Sequence, residues 1–108
     1  MTEKANKSVI EKLDQSQIEA QLDKLNENTV GNLWVIQDDK LHKTFKFKSF
    51  IWAVGWMSQI AIWSEKLKHH PEWFNVYNKV TVDLITHDAN GITSLDFQLA
   101  AKMDVYAH

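Results

Sequence analysis

The chain of 108 residues contains no cysteine, a single proline and only three glycines. Without cysteine, neither a disulfide framework nor thiolate chemistry is available. The sequence also has no internal repeat, no low-complexity tract and no glycine-rich loop of the kind that holds phosphates. What it does have is 44% hydrophobic and 11% aromatic residues. That composition excludes a disordered chain, and the length allows one domain with one core.

The charge balance and the longest apolar stretch argue against two classes of partner. A formal net charge of -2 disfavours nucleic acid bound through its phosphates. From Phe50 to Trp63, eleven of the fourteen residues are hydrophobic, but a transmembrane helix needs about 18 or more. The first 14 residues lack the apolar centre of a signal peptide. We therefore expect a cytoplasmic protein that binds neither membranes nor nucleic acid directly.

Hydrophobic periodicity predicts an α+β domain with the order helix, strand, strand, helix, strand, strand, helix. The predicted ranges are 16–26, 33–36, 41–47, 49–68, 73–77, 79–86 and a last helix from 94. Ser16 and Glu19 match a capping box, and Pro71 is expected to end the second helix. Four strands in hairpin order imply a four-stranded, mostly antiparallel sheet with three helices packed on one face. Residues 1–12 are expected to form a flexible arm before a single domain, 13–108.

The second predicted helix is apolar on most of its sides. Trp52, Trp56 and Trp63 lie at spacings of four and seven, so they form one stripe. One face of this helix can pack on the sheet. Because large exposed apolar patches are rare on monomers, the other face either completes the core or forms the interface of a homodimer or homotetramer.

Three of the five histidines lie in the stretch 65–96, beside carboxylates and aromatic residues. His69 and His70 are adjacent and are pinned by Pro71, where a helix gives way to a strand. His87 lies at the far end of the next long strand, and strands that stop at the same rim can bring such residues together. Since the unperturbed pKa of histidine is about 6.5, a shared pocket would suit acid and base catalysis. The alternative is that these are surface histidines at element boundaries.

The neighbouring residues leave further alternatives open. Three imidazoles could form a catalytic zinc shell, but adjacent side chains of an extended chain point to opposite faces, so we expect no metal. Glu65, one helical turn before His69, either orients an imidazole or is solvated. Asp96 either lines the site or caps the last helix with Thr93. Trp73 either stacks on a flat ring or belongs to the core.

The run Glu65-x₃-His69-His70-Pro71-x₅-Tyr77-x₉-His87-x₈-Asp96 resembles the signature of the pterin-4a-carbinolamine dehydratases. The string HHPEWFNVYNKV is especially similar, and the resemblance extends from about Leu13 to the C-terminus. It implies an α+β fold that agrees with the order above. It also implies loss of water from 4a-hydroxytetrahydropterin to give quinonoid dihydropterin, in tetrahydrobiopterin recycling, without cofactor or metal.

The same resemblance assigns roles by position. His69 and His87 would be the acid and base, and His70 would mainly hold the substrate. The substrate-binding set would be Glu65, His70, Pro71, Trp73 and Asp96. One departure is that Gly31 is followed by Asn32 rather than by tryptophan, with Trp34 two residues later. Some family members also bind a homeodomain transcription factor as a dimerisation cofactor, which is the alternative function.

Overall fold

The computed structural model describes residues 10–107, so the expected N-terminal arm lies largely outside the described residues. The helices are α1 (Gln15–Asn26), α2 (Phe50–Leu67) and α3 (Ser94–Tyr106). The strands are β1 (Val35–Gln37), β2 (Lys40–Lys46), β3 (Glu72–Val76) and β4 (Lys79–Leu84). A short 3₁₀ turn at His87–Ala89 follows β4. The predicted class and the predicted order of helices and strands are confirmed.

The four strands form one antiparallel sheet in the order β1-β2-β4-β3. The β1–β2 turn has positive φ at Asp38 (53°) and Asp39 (61°), which matches the twist that two-residue hairpins favour. The β3–β4 turn begins at Tyr77, also at positive φ. In the centre of the sheet, Leu41 of β2 pairs with Leu84 of β4. The two hairpins are therefore joined through strands that are distant in the chain.

The core lies between the helices and one face of the sheet. Alternate strand residues point toward the helices, as period-two patterning predicts. The buried set from the sheet and helices includes Leu41, Phe45, Val80, Val82, Leu84, Trp56, Ile60, Leu99 and Met103. The Trp56 indole donates a hydrogen bond to the Met103 carbonyl at 3.0 Å, so its polar atom is satisfied inside the core. The opposite face of the sheet is lined by polar residues such as Thr44 and Thr81.

Two helix ends differ from the prediction. The cap of α1 is Asp14, whose carboxylate accepts from the Gln17 backbone N–H at 2.8 Å. Gln17 in turn accepts from the Asp14 N–H at 2.9 Å. The predicted box of Ser16 and Glu19 is wrong because the helix begins at Gln15, which places Ser16 already inside the first turn.

The end of α2 is set by Lys68 rather than by Pro71. Lys68 adopts the left-handed conformation with φ 54°, and its N–H donates back into the last turn. The next N–H, of His69, donates to the Ser64 carbonyl at 3.0 Å. This closure satisfies carbonyls that the helix end leaves open. It also fixes the position at which His69 leaves the helix. The predicted start of α2 is confirmed, since Ser49 caps it.

The tryptophan stripe of α2 is covered unevenly. Trp56 is buried, Trp63 is half-buried, and Trp52 remains 45% exposed. Ile51 and Ile62 on the outer side are 71% and 61% exposed. The inner side of α2 therefore belongs to the core, while its outer side is an apolar surface. No helix among residues 10–107 is long and apolar enough to cross a membrane.

Candidate active site

Several of the predicted site residues lie near one rim of the sheet. His69 follows α2, His87 opens the 3₁₀ turn after β4, and Asp96 lies in the first turn of α3. Glu72 begins β3 at the same rim, since it pairs across the sheet with Asp83 near the end of β4. Two connections, that from α2 to β3 and that from β4 to α3, thus supply these polar residues.

His69 is held by a buried carboxylate. Its Nε2 lies 2.5 Å from Oδ1 of Asp96, and the two side chains are 8% and 0% exposed. The second oxygen of Asp96 accepts from the Thr86 hydroxyl at 2.9 Å and from the Thr93 backbone N–H at 2.8 Å. Asp96 therefore caps α3, as one of the two predicted alternatives has it, and also contacts His69; that it lines a substrate site stays a prediction.

Two hydroxyls extend this network toward the second histidine. The Oγ1 atoms of Thr86 and Thr93 lie 2.7 Å apart. Because the Thr86 hydroxyl donates to Asp96, it accepts from Thr93, which fixes the direction of both protons. Thr86 directly precedes His87 in the chain. Asp96 contacts both His69 and Thr86, and Thr86 is the chain neighbour of His87. This carboxylate therefore links the two histidines.

His87 is held by a different carboxylate, which the sequence analysis did not single out. Its Nε2 lies 2.9 Å from one oxygen of Glu72, and Lys40 donates to the other oxygen at 2.6 Å. These hydrogen bonds, first that of Lys40 and then that of His87, hold the pKa of Glu72 below its ordinary value. The hydrogen bond to Glu72 raises the pKa of Lys40. Glu72 follows Pro71 within the string HHPEWFNVYNKV, so the resemblance could have indicated Glu72. No sequence feature indicated Lys40.

His70 is paired with Glu65, so this glutamate orients His70 and not His69. The distance from Nε2 of His70 to the Glu65 carboxylate is 2.6 Å, and the side chains are 63% and 78% exposed. The left-handed residue between helix and histidines turns His69 inward and leaves His70 outside. Pro71, half-buried, then leads into β3.

All three histidines share one arrangement of their ring nitrogens. In each, Nε2 faces a carboxylate oxygen, which can only accept when ionised. A neutral ring must then carry its proton on Nε2 and present the lone pair of Nδ1. The site therefore offers imidazoles whose tautomer is set by carboxylates, the arrangement that general bases require.

Trp73 lies on the other side of the strand from Glu72. It is half-buried and packs against the core, with its ring centroid 6.0 Å from that of Trp56. These contacts are those of a core residue, and its role against a flat substrate stays a prediction. Similarly, Trp34 is buried and donates to Asp104, so it belongs to the core.

The rim is open. None of the three histidines lines the groove of about 310 Å³ that runs along α2 between Phe47 and Tyr106, or the three other grooves seen within residues 10–107. Nor do any three His, Asp or Glu side chains of that range come together as a metal-binding group. The side chains of His70 and His87 are accessible from outside, whereas that of His69 is buried.

The fold and the site together define a small antiparallel α+β domain with carboxylate-paired histidines beside its sheet. Comparison with known proteins identifies the family within this class. The family model of the pterin 4 alpha carbinolamine dehydratases matches residues 11–106. The chain belongs to this family, whose named activity is that of a hydro-lyase.

Relatives and a solved structure agree with that assignment. A protein of Solibacter usitatus is 49% identical over 96 residues, covering 89% of this chain and 95% of its own length. One of Sinorhizobium medicae is 54% identical, with 87% and 86% covered. Both names provisionally assign a pterin-4-alpha-carbinolamine dehydratase. A crystal structure described as a transcriptional coactivator/pterin dehydratase from Brucella melitensis has a TM-score of 0.79 at 43% identity, with 90% of this chain and 99% of that chain covered.

Proposed function

We propose that this protein dehydrates 4a-hydroxytetrahydropterin to quinonoid dihydropterin by histidine acid and base catalysis. It would act in the cytoplasm as a step of tetrahydrobiopterin recycling. The observation that carries the proposal is the buried contact between His69 and Asp96 at 2.5 Å. Burying a carboxylate away from water costs free energy of folding unless the carboxylate is paired. Here its pairing orients an imidazole at the rim where the family signature places the reaction.

The reaction needs one proton delivered and one removed. The hydroxyl on C4a leaves as water once it is protonated, and a nitrogen of the pterin gives up its proton. The C–O bond breaks with its electron pair on oxygen, and the pterin ring system regains a double bond. Atoms and charge therefore balance without an oxidant or a reductant. His69 and His87 are assigned as the pair that exchanges these protons through Nδ1.

The other residues of the signature are assigned to binding. His70, held by Glu65, would donate to or accept from the polar edge of the pterin. Pro71 and Trp73 would form its apolar wall. Asp96 would act through His69 rather than by touching the substrate.

A stopped-flow assay with 4a-hydroxytetrahydropterin tests the proposal. His69→Ala and His87→Ala should each lower kcat by about 10²–10⁴-fold, the usual contribution of a positioned acid or base. His42→Ala is the matched control, because His42 pairs with Asp83 on the sheet and lies outside the signature. If the first two variants keep the activity of the unsubstituted protein, histidine catalysis is wrong.

A second candidate function is that of a protein-binding dimerisation cofactor for a transcription factor. Its support is the exposed apolar side of α2, with Ile51, Trp52 and Ile62, together with the description of the Brucella melitensis structure as a coactivator. The same surface would hold copies of this chain together as a homodimer or homotetramer. Substituting His69 should abolish dehydration and leave partner binding intact, whereas Trp52→Lys should do the reverse or change the assembly.

A further inference from the structure

We propose that Lys40 is a positioning residue for His87 and acts through the carboxylate of Glu72. The inference rests on the proposed function, since it concerns the geometry of one of its two proton-transfer groups. Lys40 opens β2, Glu72 opens β3, and His87 follows β4, so three segments contribute one residue each. The sheet places β2 and β3 on either side of β4. Glu72 and Lys40 are thus brought together across the strand that leads to His87.

Both oxygens of the Glu72 carboxylate are used. Oε1 lies 2.6 Å from the Lys40 ammonium, and Oε2 lies 2.9 Å from Nε2 of His87. A carboxylate with one free oxygen can rotate and change the direction in which it accepts. One that is held at both oxygens presents a fixed acceptor to the imidazole. The lysine therefore determines where the proton of His87 points.

His87 needs such a support because packing does not hold it. Its side chain is 74% exposed, whereas that of His69 is 8% exposed. An exposed side chain keeps its rotamer freedom unless polar contacts remove it. Among the described residues, the hydrogen bond recorded for the His87 ring is the one to Glu72. The two imidazoles are thus fixed by different means, one by burial and one by an ion pair.

The charges around Glu72 explain why a cation is needed there. Across β3 and β4 it faces Asp83, which pairs with His42 at 2.8 Å. The Asp38 carboxylate also favours the charged form of Lys40 and so helps to raise its pKa. Removal of the Lys40 charge would leave the Glu72 and Asp83 carboxylates repelling each other. Glu72 would then swing away from its partner histidine.

The experiment combines kinetics with a direct measurement of the proton on His87. Nitrogen-15 NMR distinguishes the Nε2–H from the Nδ1–H form of a neutral imidazole. We expect His87 of the unsubstituted protein to be in the Nε2–H form. In Lys40→Met the two forms should mix, and kcat should fall about tenfold with little change in KM, less than the about 10²–10⁴-fold contribution of an acid or base itself. Lys40→Arg, which keeps the charge and the donors, should restore both.

Lys79→Met is the control, because Lys79 lies at the opposite end of the same sheet, where it pairs across the strands with Lys46. It should leave both kcat and the His87 tautomer unchanged. The proposal is overturned if Lys40→Met keeps the Nε2–H form, or if Lys79→Met lowers kcat as much. If the unsubstituted protein has no dehydratase activity, the proposed function fails. The tautomer of His87 with and without Lys40 then still decides the positioning role.

Discussion

The substitution Asp96→Asn should separate the chemical role of this residue from its structural one. The carboxylate accepts from two donors at Oδ2, the Thr86 hydroxyl and the Thr93 N–H, and faces His69 at Oδ1. An asparagine of the same shape can satisfy the two donors with its single oxygen. Its NH₂ group then faces Nε2 of His69, and a donor would meet a donor. The conflict is relieved when the imidazole moves its proton to Nδ1.

The expected loss of activity follows from this change in the tautomer of His69. The imidazole in the wrong tautomer cannot accept at Nδ1, so kcat should fall by about 10²–10⁴-fold. All three hydrogen bonds of the carboxylate become neutral ones, but a buried charge is also removed, so the net cost is about 1–2 kcal/mol. For a domain of this size, that corresponds to a Tm lower by about 5–10 °C. The loss of activity should therefore far exceed what the loss of stability explains.

Asp104→Asn provides the matched control for this test. Asp104 accepts from Lys43 at 2.8 Å and from Trp34 at 3.0 Å, away from the histidines. It should lower Tm comparably and leave kcat unchanged. The assay is stopped-flow dehydration, with thermal unfolding followed by circular dichroism. A wild-type kcat in Asp96→Asn, alongside the expected fall in Tm, would refute the role of Asp96 in fixing the His69 proton.

Three further predictions concern stability, pH and assembly. Trp56→Phe should lower the free energy of unfolding, measured in urea, by about 2 kcal/mol, because it shrinks a buried ring and leaves the Met103 carbonyl without its donor. Phe74, which is 67% exposed, should tolerate substitution by alanine. Because the pKa of Glu72 lies below its ordinary 4.5, its ion pair stabilises the fold above that pH and ceases to do so as pH falls through the lowered pKa. The difference in Tm between the unsubstituted protein and Glu72→Gln should therefore be present at about pH 7 and shrink as the pH falls below 4.5, and a difference that stays constant as the pH is lowered would contradict this. Light scattering should give the mass of two or four copies, reduced in Trp52→Lys; a monomeric mass for the unsubstituted protein would refute the predicted interface.

Periodicity was sufficient to predict the architecture. Val80, Val82 and Leu84 alternate with polar residues and are buried, so period two identified the face of β4 that meets the helices. Asn90, in the connection between β4 and α3, has the positive φ that asparagine tolerates in turns. The alternation in β4 and the turn conformation each depend on residues that are close together in the chain, so they can be predicted from the sequence.

What the sequence did not show depends on contacts between distant segments. Lys43 lies on the buried face of β2, where its ammonium pairs with Asp104 of the last helix. Likewise, the contact of Lys40 with Glu72 arises from the register of three strands. No spacing rule links these positions, because they become neighbours only once the sheet has formed. The helix cap at Asp14 was missed for a simpler reason, since two overlapping capping patterns begin two residues apart.

The pairing of β2 with β4 has a consequence for the order of events in folding. Each hairpin closes locally through a tight turn, but the central pair, such as Leu41 with Leu84, requires the whole of α2 to be spanned first. Closing so long a loop is entropically costly, so we expect the joining of the two hairpins to limit the folding rate. His87 follows one of these central strands, and its carboxylate network is complete only after they meet. A partly folded chain with both hairpins formed but not joined would therefore lack the contact between Lys40 and Glu72.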